Sequence, residues 1–163
     1  MPVDPQQFRT LLRRWASGVT VVTTRAGEHV AGMTVSSFSA VSLEPPLVLF
    51  CADKQALTLP VVARAGVFAV NVLAADQFAL SAQFALSGNE ELRFEGLACR
   101  TGPSGAPWLP GTVAVLDCRT VAAHDAGDHV IYVGQVEAAE FDPEREPLVY
   151  HDAAYRRLAP LDP

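Results

Sequence analysis

Residues 112–141 read TVAVLDCRTVAAHDAGDHVIYVGQVEAAEF, from Thr112 to Phe141, and this stretch decides the fold. Thr112 to Ala123 and His129 to Phe141 are long, rich in β-branched residues and free of proline. The cluster His124-Asp125-Ala126-Gly127-Asp128 between them carries turn chemistry, so the two runs form an antiparallel hairpin. A hairpin at this position points to an antiparallel sheet. A parallel sheet would need a helix between consecutive strands.

Outward from the hairpin the same logic repeats. Val19 to Thr24 is a β-branched run, Arg25 to Glu28 a turn, and His29 to Ser37 the returning strand. Phe38 to Glu44 is small and polar, and Pro45-Pro46 forces an extended entry into the apolar strand Leu47 to Cys51. Asp53-Lys54-Gln55 turns into a short helix over Gln55 to Arg64, in spite of Pro60. Val67 to Leu73 is a strand, and Asp76 is placed to cap a helix over Gln77 to Leu86. Ser87 to Gly96 and Gly102 to Gly111 read as loops, and Pro147 to Tyr150 as a last strand. At the other end Asp4-Pro5 opens a helix, Phe8, Leu11, Leu12 and Trp15 share one face, and Gly18 stops it. About six or seven strands, mostly joined by hairpins, with three short helices predict a mainly β fold: one domain over residues 1–163, an antiparallel barrel with helical additions.

Composition narrows the function. Half of the 163 residues are hydrophobic and 18% are charged, a globular balance. The net charge is −6 and the basic residues are scattered, which argues against a nucleic-acid partner. No apolar run approaches the roughly 20 residues of a membrane span. Met1-Pro2-Val3-Asp4-Pro5 lacks the basic and apolar regions of a signal peptide, so a cytoplasmic protein with no membrane association is expected. Cys51, Cys99 and Cys118 form no CxxC pair and read as reduced thiols, and the four histidines show no metal-ligand spacing, so no metal is expected. GxGxxG, Walker A and GxSxG motifs are absent; any nucleotide must be held in another way.

Three stretches carry possible chemistry. Gly32 to Ser39 places many small hydroxyls on one strand, which can present donors to a flat, polar-edged ligand or simply face water. Ala52-Asp53-Lys54-Gln55 joins a strand to a helix start, where N–H groups and one lysine suit a phosphate, or form a solvated turn. Gly127-Asp128-His129 puts a histidine at the mouth of the long hairpin, as a structural residue or as a group able to act near neutral pH.

These segments occur in the order found in the flavin reductase family with an FMN-binding split barrel. Phe8-Arg9 and Gly18 to Thr23 come first. They are followed by Gly32-Met33-Thr34-Val35-Ser36-Ser37-Phe38 and Ser42 to Val48, then by Phe68 to Leu73 and Gly127 to Val136. The resemblance covers nearly the whole chain, from Phe8 to Tyr155. It implies a split β-barrel homodimer that binds FMN or FAD near the subunit interface and uses NADH or NADPH as co-substrate. The implied reaction is hydride transfer from the nicotinamide to flavin N5, and the implied partner is a flavin-dependent monooxygenase.

By the same resemblance Met33, Thr34, Val35, Ser36 and Ser37 lie along the isoalloxazine and ribityl chain, and Val48 to Cys51 forms the adjoining strand. Ala52, Asp53, Lys54 and Gln55 approach the phosphate, as do Gln83, Phe84 and Ala85. Relatives often carry a basic residue at the Gln83 position, which leaves Lys54 as the main charge. His129 matches the family's histidine near the nicotinamide, and Tyr155 with Arg156 matches a C-terminal stretch that reaches the ligand. Two alternatives remain open: a flavin-retaining electron carrier or oxidase on the same barrel, and a split-barrel binding module without catalysis.

Overall fold

The computed structural model describes residues 3–88 and 90–161. Met1 and Pro2, read above as part of the opening that lacks signal-peptide character, lie outside them, as does Asn89 of the Ser87 to Gly96 loop. Helix α1 (Pro5–Leu12) leads into strands β1 (Ser17–Gly18), β2 (Thr20–Ala26), β3 (His29–Val35), β4 (Ser39–Leu43) and β5 (Pro46–Asp53). Then follow α2 (Thr58–Ala65), β6 (Val67–Val72), α3 (Phe78–Ala85) and a 3-10 turn at Glu90–Leu92. Short β7 (Arg100–Thr101) and β8 (Pro107–Trp108) precede the long hairpin β9 (Ala114–Ala126) and β10 (His129–Phe141), and the chain ends on β11 (Val149–His151) and β12 (Ala154–Arg156).

The main sheet has seven strands in the order β3-β2-β6-β9-β10-β5-β4, every neighbouring pair antiparallel. It curls without closing: β3 and β4 are its edges, and this is the split of the barrel. The fold is mainly β, as the hairpin grammar of the sequence predicts.

Inside the curl, Phe50 stacks on Tyr132 with ring centroids 5.3 Å apart and meets the edge of Phe68 at 4.9 Å. Gly134 makes this possible, because a Cβ there would come within 2.3 Å of the Phe68 ring. The β9–β10 register shifts between Val133 and Gly134. β2 is buried from Thr20 to Thr24, which threonine tolerates because each hydroxyl finds a carbonyl. Thr20 donates to Val35 (2.8 Å), Thr23 to Pro107 (2.5 Å) and Thr24 to Val67 (2.6 Å). Buried Asn71 ties this strand to the loop, donating to the Val21 carbonyl and accepting from the Leu109 N–H at 2.8 Å.

Several local expectations change. Asp4 caps α1 through bonds to the N–H groups of Gln6 and Gln7, as its sequence suggests. The helix ends at Leu12 rather than at Gly18, which pairs with Val149 in β1. Asp76 does not cap α3: Gln77 occupies that position, and Asp76 faces Arg145 at 3.9 Å. Phe38 to Glu44 is not merely a polar link, since Ser39–Leu43 forms the edge strand β4. His124 to Ala126 continue β9, so the hairpin turn shrinks to Gly127-Asp128, with Gly127 at φ +64°. Pro60 sits within the first turn of α2, where its missing N–H costs little.

Candidate active site

A cleft of about 620 Å³ opens where the edge strand β3 faces the end of β5. That size suits a small-molecule ligand. One wall is the sheet: Met33 to Ser37, then Cys51 to Asp53, with His129 beside them because it pairs in register with Asp53. The other wall is the end of α3 and the chain after it, carrying Phe84, Ala85, Ser87, Gly88, Glu90 and Arg93. α3 can lie close because residue 32 is glycine; a Cβ there would come within 2.8 Å of the Phe84 ring.

The hydroxyls of the β3 edge have distinct partners. Thr34 donates to the Ser81 carbonyl at 2.6 Å. Ser37 ties the end of β3 to β5: its hydroxyl donates to the Cys51 carbonyl at 2.9 Å and accepts the Cys51 N–H at 3.0 Å. Ser36, which also lines the cleft, makes no side-chain hydrogen bond among the described residues. His129 holds Asp128 through Nδ1 at 2.7 Å, and this bond keeps the Asp128 carboxyl below its usual range.

Of the residues singled out in the sequence, Met33, Thr34, Val35, Ser36, Ser37, Cys51, Ala52, Asp53, Gln55, Phe84, Ala85 and His129 share the cleft. Three stand elsewhere. Lys54 pairs with Asp125 at 2.7 Å, outside the lining. Gln83 does not line the cleft; it donates to the Arg93 carbonyl at 2.7 Å. Tyr155 donates to the Ser81 hydroxyl at 2.9 Å and lines a separate recess of about 190 Å³ that shares Thr34, Ser36 and Ala85 with the cleft.

Residues 12–159 match the flavin reductase like domain. The chain belongs to this family. It is 44% identical over 157 residues to an FMN reductase (NADH) of Agrobacterium fabrum, covering 96% of this chain and 87% of that one. The reductase component of a 4-hydroxyphenylacetate 3-monooxygenase from Thermus thermophilus is also 44% identical, over 94% of this chain and 96% of the relative. Among solved structures, an NADH:FAD oxidoreductase of Streptomyces globisporus superposes with a TM-score of 0.91 at 38% identity, over 98% of both chains. The same oxidoreductase has been solved in complex with NAD and FAD fragments.

Sequence reading of this flavin reductase-like chain missed Arg93. It is 6% exposed and is the only arginine or lysine lining the cleft among the described residues. Its Nη1 donates to the Gly32 carbonyl at 2.6 Å, and its Nη2 bonds the Leu86 carbonyl and Glu90. Nε is buried without a partner. The segment around Arg93 looks like an ordinary charged loop, and only the tertiary packing of α3 reveals it as a wall.

An open slot beside a hydroxyl-bearing strand edge, with a cationic group in the opposite wall, fits a planar ring carrying an anionic tail.

Proposed function

We propose that this single-domain chain acts in the cytoplasm as an NAD(P)H:flavin oxidoreductase, with FMN or FAD lodged in the cleft against β3 and the nicotinamide entering beside His129. The observation that carries the reading is the open slot of about 620 Å³ between the β3 edge and α3. Flavin, when bound, supplies an acceptor for a hydride at N5, delivered from C4 of the nicotinamide.

The protein's task is to hold and to orient. Backbone groups of Val35 to Ser37 and the Ser36 hydroxyl offer polar contacts to the ring edge. Ser37 is committed to Cys51, so it fixes the distance between the end of β3 and β5 instead of binding the ligand directly. Asp128 restrains the His129 imidazole at the mouth of the cleft. None of these roles needs a nucleophile. Cys118, the most buried thiol, has its pKa pushed up to about 12 by burial and stays inert.

A homodimer is part of this reading. Phe8, Leu11, Leu12 and Trp15 of the α1 region form an apolar face that is more than half exposed, with Trp15 75% exposed. Exposed apolar patches of this kind mark interaction surfaces. A second hollow of about 530 Å³ lies between α1 and Ser36 to Ser39, so a second copy seated there would border the cleft. The physiological acceptor of reduced flavin is proposed to be a separate flavin-dependent monooxygenase; the Thermus relative is the reductase component of a monooxygenase.

The test of the histidine is His129→Ala in steady-state turnover with NADH and FMN. Turnover is expected to fall about tenfold from lost positioning, with flavin affinity changed less than about twofold. If turnover and flavin affinity both match wild type, the assignment of His129 is wrong.

A further inference from the structure

Two donors of the α3-side wall converge on one oxygen of the protein itself. Glu90 Oε1 accepts from the Gly88 N–H at 3.3 Å and from Arg93 Nη2 at 3.3 Å. Both distances are long for hydrogen bonds to a charged group, which usually run to about 2.7–2.9 Å. Glu90 and Arg93 both line the cleft, the Glu90 side chain about a quarter exposed and Arg93 nearly sequestered. Arg93 also keeps the buried, unpartnered Nε. A backbone N–H and a guanidinium aimed at a single oxygen are the donor set that binds phosphate elsewhere, and here a carboxylate sits on it.

The lysine beside the cleft is engaged elsewhere. Lys54 is held by Asp125, and position 83 carries a neutral glutamine whose amide anchors the Arg93 backbone. Gln83 therefore fastens α3 to the segment that bears Arg93.

We infer that Glu90 is a resident anion that occupies the donors the phosphate of a phosphorylated flavin would use, and so weakens binding of that phosphate. This rests on the flavin reading of the cleft. The Glu90 carboxyl is held below its ordinary range, first by backbone N–H groups, its own and that of Gly88, and then by Arg93, so it remains an anion at neutral pH. A phosphate reaching Gly88 and Arg93 must displace the carboxylate and meet its repulsion. Exchange of flavin with solution is then favoured over retention. Riboflavin has no phosphate and is indifferent to the contest.

The experiment titrates FMN and riboflavin against the full chain and its Glu90→Gln variant by quenching of flavin fluorescence. Removing one competing, partly exposed ion-pair partner is expected to tighten FMN about fivefold, with riboflavin affinity unchanged. Unchanged or weakened FMN binding beside intact riboflavin binding overturns the inference, and so does equal tightening of both ligands. If Glu90→Gln loses riboflavin as well, Glu90→Ala is measured in its place. There, tightening confined to FMN supports the inference, and any other outcome refutes it. Wild-type protein that binds neither ligand would defeat the flavin reading itself, a different result from a failure confined to Glu90.

Discussion

The two walls of the cleft are held by different forces. The sheet wall is built by ladder hydrogen bonds: β10 pairs with β5 from His129–Asp53 to Gln135–Leu47, with Phe50 and Tyr132 stacked beneath. The opposite wall has no ladder. Side chains reaching to carbonyls hold it, above all Arg93 to Gly32 and Leu86, and Gln83 to the Arg93 backbone. Backbone ladders fix the strand edge on which a ring can lie. Side-chain ties allow the facing wall to be tuned by one or two residues without disturbing the fold.

That contrast can be broken from either side. The largest effect is expected for Phe50→Ala, which empties the centre of the aromatic stack and should cost about 3–5 kcal/mol in urea unfolding. Arg93→Met leaves the Gly32 and Leu86 carbonyls without their donor and should cost about 2 kcal/mol. It should also weaken FMN more than riboflavin, whereas Phe50→Ala should not separate the two ligands beyond its effect on folding. Equal stability losses for the two variants would erase the distinction between the walls.

Ser37→Ala probes the seam between β3 and β5. Losing the clip to Cys51 should lower stability by about 1 kcal/mol and reduce flavin affinity, read by the same titrations. Unchanged affinity would mean that the ladders alone set the slot. The smallest expected change is a gain. Asp152 and Ala153 both adopt positive φ in the β11–β12 turn, a conformation that suits glycine. Ala153→Gly should therefore raise stability by up to about 1 kcal/mol, with no effect on either wall.

The same contrast explains what the sequence could and could not tell. β-Branched runs and a Gly127-Asp128 turn made the β2–β3 and β9–β10 hairpins legible, and with them the strand edge from Met33 to Ser37 and the position of His129. β4 was hidden because Ser39 to Leu43 is an edge strand with small residues and no buried stripe. β12 was hidden because Asp-Ala is not a recognisable two-residue hairpin turn. Arg93 escaped notice because its partners, at Gly32 and Leu86, are backbone carbonyls without any sequence signature. Lys54, conspicuous in sequence, is drawn to Asp125 across a turn that extends less far than its composition suggests.

Flavin-dependent hydride transfer is tested by nicotinamide oxidation with the purified chain, followed at the reduced-nicotinamide absorbance band while FMN is added stepwise. A flavin-binding cleft requires negligible oxidation without flavin and a rate that saturates as FMN rises. A rate that ignores FMN and FAD, or no oxidation at any flavin concentration, would contradict it.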